Sequence, residues 1–188
     1  MSESKKRPRG GASRPTPEQL LAARDQLLPD VLAPGLRVWF VGINPGAYST
    51  ACGHHFARPG NRFWPTLALS GLTPRLFAPH EDRALLELGL GITNVVARTT
   101  ARAAELEPEE LVEGARILES KVRELAPLKV AILGVTAYRV AFERPKAKLG
   151  PQPERFGDTD VVVLPNPSGL NAHHQLPALA SLFRDLLC

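Results

Sequence analysis

The sequence predicts a three-layer α/β/α domain built on a central, four-stranded, mostly parallel sheet. Two observations predict it. Short continuous apolar runs, the pattern of strands buried on both faces, recur along the chain. Between them lie segments of helical period, and such alternation of strand and helix packs as helices on both faces of a parallel sheet with right-handed crossovers. A chain of 188 residues holds one such domain, and it shows no internal repeat.

The elements follow in order. PEQLLAARDQLL, opening at Pro17, reads as an amphipathic helix with proline in its first turn, and order is expected from there. LRVWFVGI (36–43) is the first strand and stops abruptly at Asn-Pro-Gly. Residues 44–62 are rich in Gly, Pro, His and Asn and read as one long loop; loops of that length in a compact domain are usually functional. FWPTLALSG and EDRALLELG read as helices, and GITNVV (91–96) as the second strand. In PEELVEGARILESKVREL a proline and two glutamates open the helix, and Leu111, Ala115, Leu118, Val122 and Leu125 recur at spacings of four and three. KVAILG (129–134) and DVVVLP (160–165) are the remaining strands, with a helix at TAYRVAF between them. QLPALASLFRDLL closes the chain as an amphipathic helix.

Composition narrows the class. No apolar run is long enough to cross a bilayer, and the basic start MSESKKRPRGGASRPTP has no apolar stretch behind it, so a cytoplasmic, nucleoid-associated protein is expected. Two cysteines, Cys52 and Cys188, build neither a disulfide scaffold nor a four-cysteine zinc or iron–sulfur site. The formal net charge of +4 resides in residues 1–16, which hold Lys5, Lys6, Arg7, Arg9 and Arg14 against Glu3. That segment is expected to be a disordered basic tail, either solubilising or tracking phosphates, ahead of a single domain over 17–188. The body is formally neutral, so it would bind an anionic polymer through a local patch or backbone N–H groups rather than a global field.

The unusual residues fall at two strand ends. GINPG (42–46) follows the first strand and NPSGL (166–170) the last. Ligands bind beyond the carboxyl ends of parallel strands, so the two motifs are expected to face one cleft. Proline fixes a turn, glycine permits close approach, and asparagine offers both a donor and an acceptor. Asn-Pro and Pro-Gly are also common turn dipeptides, but two of them at matching strand ends with an aromatic loop between point to a site.

GINPG, FARPGNRFW (56–64), GITNVVARTT (91–100), AILG (131–134) and NPSGLNAH (166–173) together resemble, in that order, the mismatch-specific uracil-DNA glycosylase and thymine-DNA glycosylase family. The resemblance runs from about Leu32 to the C-terminus. It implies a monofunctional enzyme of base excision repair, working as a monomer without metal or cofactor on double-stranded DNA that carries a mismatched or damaged pyrimidine. By the same resemblance Asn44 is catalytic and holds the attacking water. Phe56 stacks on the extruded base, Asn166 contacts base and backbone, and Gly169, Leu170 and Asn171 form the wedge that enters the duplex. Gly46 stands where strict uracil enzymes carry a bulky aromatic residue, which implies room for thymine or 5-substituted pyrimidines. The match departs from the family at Asn171-Ala172-His173-His174, where a basic residue is common, and at Asn94, where a lysine is found in related enzymes.

The implied chemistry is coherent. A base in a duplex must be rotated out at a few kcal/mol, less when it is mispaired. A wedge such as Leu170 fills the gap, and stacking on Phe56 returns roughly 1–3 kcal/mol. An amide at Asn44 can hold a water but has no useful basicity, so slow turnover is expected. Glu81 and Asp82, before a helix in the segment leading into GITNVV, are the acidic candidates for the site-forming loops, with Asp82 as the reserve carboxylate, although acids there also favour a helix N-terminus. Three other readings stay open: a metal-dependent hydrolase using Cys52, His54, His55, His173 and His174, a non-catalytic sensor of damaged bases, and a hydrolase of free nucleosides.

Overall fold

The computed structural model describes residues 14–187, so most of the expected basic tail and Cys188 lie outside the described residues. Its centre is a five-stranded sheet in the order β2-β1-β3-β5-β4. β1 (Val38–Gly42), β2 (Leu90–Asn94), β3 (Lys129–Leu133) and β5 (Thr159–Leu164) are parallel, and β4 (Gly150–Phe156) runs antiparallel at one edge.

The four parallel strands are the four apolar runs, and the fifth is a correction to the sequence reading. GPQPERF has no apolar run, alternates between half-buried and exposed positions, and contains Pro151 and Pro153. Proline cannot donate to a ladder, so such a segment pairs only at an edge, and its pairing is set by the hairpin to β5.

The three layers follow from the period of two along β1. Trp39 and Val41 point to one side and pack with Leu118 and Val122 of α4 (Pro108–Leu125) and Tyr138 of α5 (Val135–Ala141). Val38 and Phe40 point to the other, against Phe63 and Leu67 of α3 (Phe63–Ser70) and Phe183 of α6 (Leu176–Arg184). Trp39, Phe40, Phe63 and Phe183 are all 0% exposed, and each fully buried side chain of this size contributes roughly 1.5–3 kcal/mol or more.

Helix boundaries depart from the sequence reading in four places. α1 (Pro17–Ala22) starts with a capping box between Thr16 and Gln19 but ends early. Asp25 adopts φ 60, which breaks the helix, and its N–H donates to Thr99 O. The segment expected to be all loop contains α2 (Ala47–Cys52), which Gly53 ends in the left-handed conformation. Pro79–Leu88 is a tight 3-10 helix, and α6 gives way to 3-10 winding at Asp185–Leu187.

Candidate active site

A cleft of about 160 Å³ opens at the carboxyl edge of the sheet, and all four parallel strands reach it. Gly42 of β1, Asn94 of β2 and Leu133 of β3 line it, as does Asn166 just beyond β5. Its size is close to the ~150 Å³ that holds a benzene ring. A space of that size suits one flat heterocycle.

Asn44 lies in the turn after β1. The turn is fastened to residues 95–100, with Val95 N–H donating to Gly42 O, Val96 N–H to Ile43 O and Ala47 N–H to Thr100 O. Asn44 Nδ2 donates to Arg98 O at 2.9 Å and Thr100 Oγ1 at 2.8 Å. The Thr100 hydroxyl spends its own proton on Arg102 O at 2.8 Å, so towards Asn44 it can only accept. These two acceptors, with Pro45 O at 3.3 Å as a third, fix which end of the amide is nitrogen. The oxygen Oδ1 has no partner among the described residues and is the half left for the cleft.

Asn166 has the opposite bias. Its Oδ1 accepts the Ser168 N–H at 2.9 Å and its backbone O accepts Asn171 Nδ2 at 3.0 Å. Nδ2 makes no hydrogen bond among the described residues, so Asn166 brings a donor to the cleft that it lines. The two asparagines thus supply one acceptor and one donor.

Phe56 lines the cleft and stacks on Phe63 with ring centroids 4.0 Å apart and planes at 22°. Phe63 in turn packs edge-on against Phe40 of β1 at 5.3 Å, so one face of Phe56 is backed by the core. Its backbone φ of 53 is unusual for a bulky residue and costs roughly 1–2 kcal/mol. Neighbouring bonds hold it there: Ala57 N–H donates to Ser49 Oγ, and Trp64 Nε1 donates to His55 O. Gly46, at the start of α2, also lines the cleft, and a Cβ built on it would meet nothing within 4 Å. Neither its backbone nor its packing demands glycine; its effect is to leave space.

The segment 166–174 forms an exposed loop across the cleft edge, with Leu170 83% exposed at its tip. Gly169 lies against the 56–62 loop, where a Cβ would come within 2.6 Å of Gly60 O. Both polar ends of the Asn171 side chain are occupied inside the loop, Nδ2 by Asn166 O and Oδ1 by the His173 N–H.

The sequence reading gives His55 only as a possible metal ligand and gives Thr100 no role. His55 is buried and its Nε2 donates to Pro29 O at 2.9 Å, while burial pushes its pKa below the ordinary histidine value despite that carbonyl and nearby Asp82 and Asp30. Neutral His55 therefore keeps its lone pair on Nδ1. Thr100 lines the cleft, as does Arg58, which forms no ion pair among the described residues. Among the described residues no Asp or Glu lines the cleft. Asp82 is buried and accepts from His54 Nδ1 at 3.1 Å, and Glu81 caps the Ala78 N–H and pairs with Arg75, which holds its carboxyl down at about 2. Among the described residues no three His, Cys, Asp or Glu side chains lie close enough together to hold a metal ion.

The family model of the uracil DNA glycosylase superfamily matches residues 29–187 of this chain. A solution NMR structure from Methanosarcina acetivorans, of a protein provisionally named a uracil DNA glycosylase, superposes with a TM-score of 0.58 at 18% identity. The match covers 87% of this chain and 99% of that one. At that identity it speaks for the shared fold.

Proposed function

Since the chain belongs to the uracil DNA glycosylase superfamily, whose enzymes act on DNA, we propose that it is a mismatch-directed member that hydrolyses uracil, and thymine or 5-substituted pyrimidines as well, from duplex DNA. The observation that carries this reading is the split between the two asparagines. Asn44 keeps only its acceptor for the cleft and Asn166 only its donor. A water bound to Asn44 Oδ1 donates one proton to it and keeps a lone pair for C1′ of the sugar. Asn166 Nδ2 can donate to a carbonyl of the base.

The chemistry then runs on few groups. The base stacks on Phe56, whose far face is already packed, so no ordering is needed on arrival. The C1′–N1 bond breaks, its electron pair leaves with the base, and the sugar passes through an oxocarbenium-like state. The water oxygen bonds to C1′ and its proton passes to solvent, because the amide cannot accept it. With no carboxylate among the described residues of the cleft, rate comes from position and from donors to the departing base, which suits slow turnover. Arg58 offers a phosphate contact at the rim, and one copy of the chain supplies every group named. The open space at Gly46 supports a range wider than uracil.

Labelled duplexes carrying one G·U, G·T or A·U pair, followed by alkaline cleavage of abasic sites, test the proposal with and without EDTA. Excision that survives EDTA and favours G·U over A·U is expected. Gly46→Phe should keep uracil excision and lose at least tenfold on G·T, a steric discrimination of the usual size for a filled pocket. Tight binding to these duplexes with no abasic site formed would instead make the protein a sensor, the reading that the acid-free cleft favours.

A further inference from the structure

We infer that Arg62 is the positioning residue of the wedge, an inference that rests on the glycosylase reading above. Arg62 precedes α3 and does not line the cleft. Its Nη1 donates to His174 O at 2.6 Å, and its Nη2 donates to Ser168 O at 2.6 Å and Asn171 O at 2.7 Å. Its backbone N–H donates to Pro167 O at 3.0 Å. One residue thus ties down both ends and the middle of the segment 167–174, while Leu170 stands out between the tied points.

The geometry suits guanidinium. Several carbonyls converge on one planar fork, which lysine, a single point of charge on a flexible stem, cannot reproduce. The remaining nitrogen, Nε, is buried without a partner. The side chain is therefore turned towards the wedge carbonyls at the cost of a buried, unmet donor. A wedge that enters stacked DNA must hold its shape against the bases it separates. A loop that is ordered only on contact would spend its binding energy on its own ordering. Arg62 supplies that order in advance. Because the same segment carries Phe56 and the Gly60 carbonyl that abuts Gly169, the base platform and the wedge keep a fixed separation.

The test uses a duplex with a tetrahydrofuran abasic analogue beside 2-aminopurine, whose fluorescence rises when the wedge unstacks it, alongside single-turnover excision from a G·U duplex. Arg62→Lys, Arg62→Ala, Leu170→Ala and the double variants are compared, with thermal melts to show that each is folded. Arg62→Lys is expected to lose about tenfold to a hundredfold in excision, the scale of a small misplacement, and to lose the fluorescence rise. Arg62→Lys/Leu170→Ala should be no worse than Leu170→Ala, because Arg62 acts through that side chain. Gly169→Ala, which pushes the loop off Gly60, should resemble Arg62→Lys. An Arg62→Lys protein that matches wild type in both readouts overturns the inference, as do losses that multiply in the double variant. If wild type raises the fluorescence yet excises nothing, the glycosylase reading fails, and the fluorescence of Arg62→Lys still decides the role of Arg62. If wild type raises no fluorescence, the wedge and its positioning residue fall together.

Discussion

The loops that follow β1 and β5 carry the same Asn-Pro pair and are held by opposite means. The first is fastened from within the sheet edge, since its backbone bonds to residues 95–100 and its asparagine nitrogen is consumed by Arg98 O and Thr100 Oγ1. The second folds its asparagine oxygen back on its own Ser168 N–H, is braced within by Asn171, and is tied to a distant segment by Arg62. An amide carries a donor and an acceptor, and the scaffold decides which one faces the ligand by consuming the other. Identical residues thereby present a free acceptor in one loop and a free donor in the other, the pair that the proposed reaction assigns to water and base.

Substitutions that remove each function separately break this comparison most strongly. Asn44→Ala removes the water's acceptor and should lower single-turnover excision on the order of 10²- to 10⁴-fold. Asn166→Asp keeps the oxygen that caps Ser168 but loses the donor; it should cost on the order of 10²-fold with the loop intact. Single-turnover rates on a G·U duplex decide the point. If Asn166→Asp matched wild type, Asn166 would be a loop residue only and the split would be lost.

A milder change makes the first loop less determinate. Thr100→Val removes one of the three acceptors of Asn44 Nδ2, while Arg98 O and Pro45 O remain. The loss of one neutral hydrogen bond is worth about 1 kcal/mol, so excision should fall about fivefold. A loss as large as that of Asn44→Ala would mean that Thr100 touches the water itself.

What was legible in the sequence follows the physical range of each signal. The parallel strands were readable because two-sided burial writes a continuous apolar run, and Asn44 and Asn166 because they stand directly after such runs. β4 was hidden because an edge strand can hold Pro151 and Pro153 and needs no apolar run. α2 was hidden because AYSTAC is short and has no helical stripe; its ends are set by Gly46 and Gly53. The direction in which each asparagine points was not readable, since it depends on carbonyls and hydroxyls more than 50 residues away for Asn44. Arg62 is the extreme case. Its partner His174 O is 112 residues distant, and a backbone carbonyl carries no residue-type signature.

The smallest expected effect separates the two loops by pH. Arg62 holds the second loop through hydrogen bonds to backbone carbonyls, so that hold should not change on mild acidification. Beside the first loop, buried His55 donates from Nε2 to Pro29 O and is kept neutral, with its pKa lowered by burial. In the unfolded chain a histidine takes up its proton near pH 6.5. Below that pH the unfolded state binds more protons than the folded one, so stability is fully present above the ordinary histidine value and is lost as pH falls towards the lowered one. Melting temperature should therefore drop between pH 7.5 and 5.5. In His55→Gln, whose amide can still donate to Pro29 O, the drop should shrink. An equal drop in both proteins would assign the acid sensitivity to other groups and leave His55 a packing residue. A smaller drop in His55→Gln, with 2-aminopurine fluorescence unchanged over the same range, would assign part of the acid sensitivity to His55 while the wedge keeps its shape.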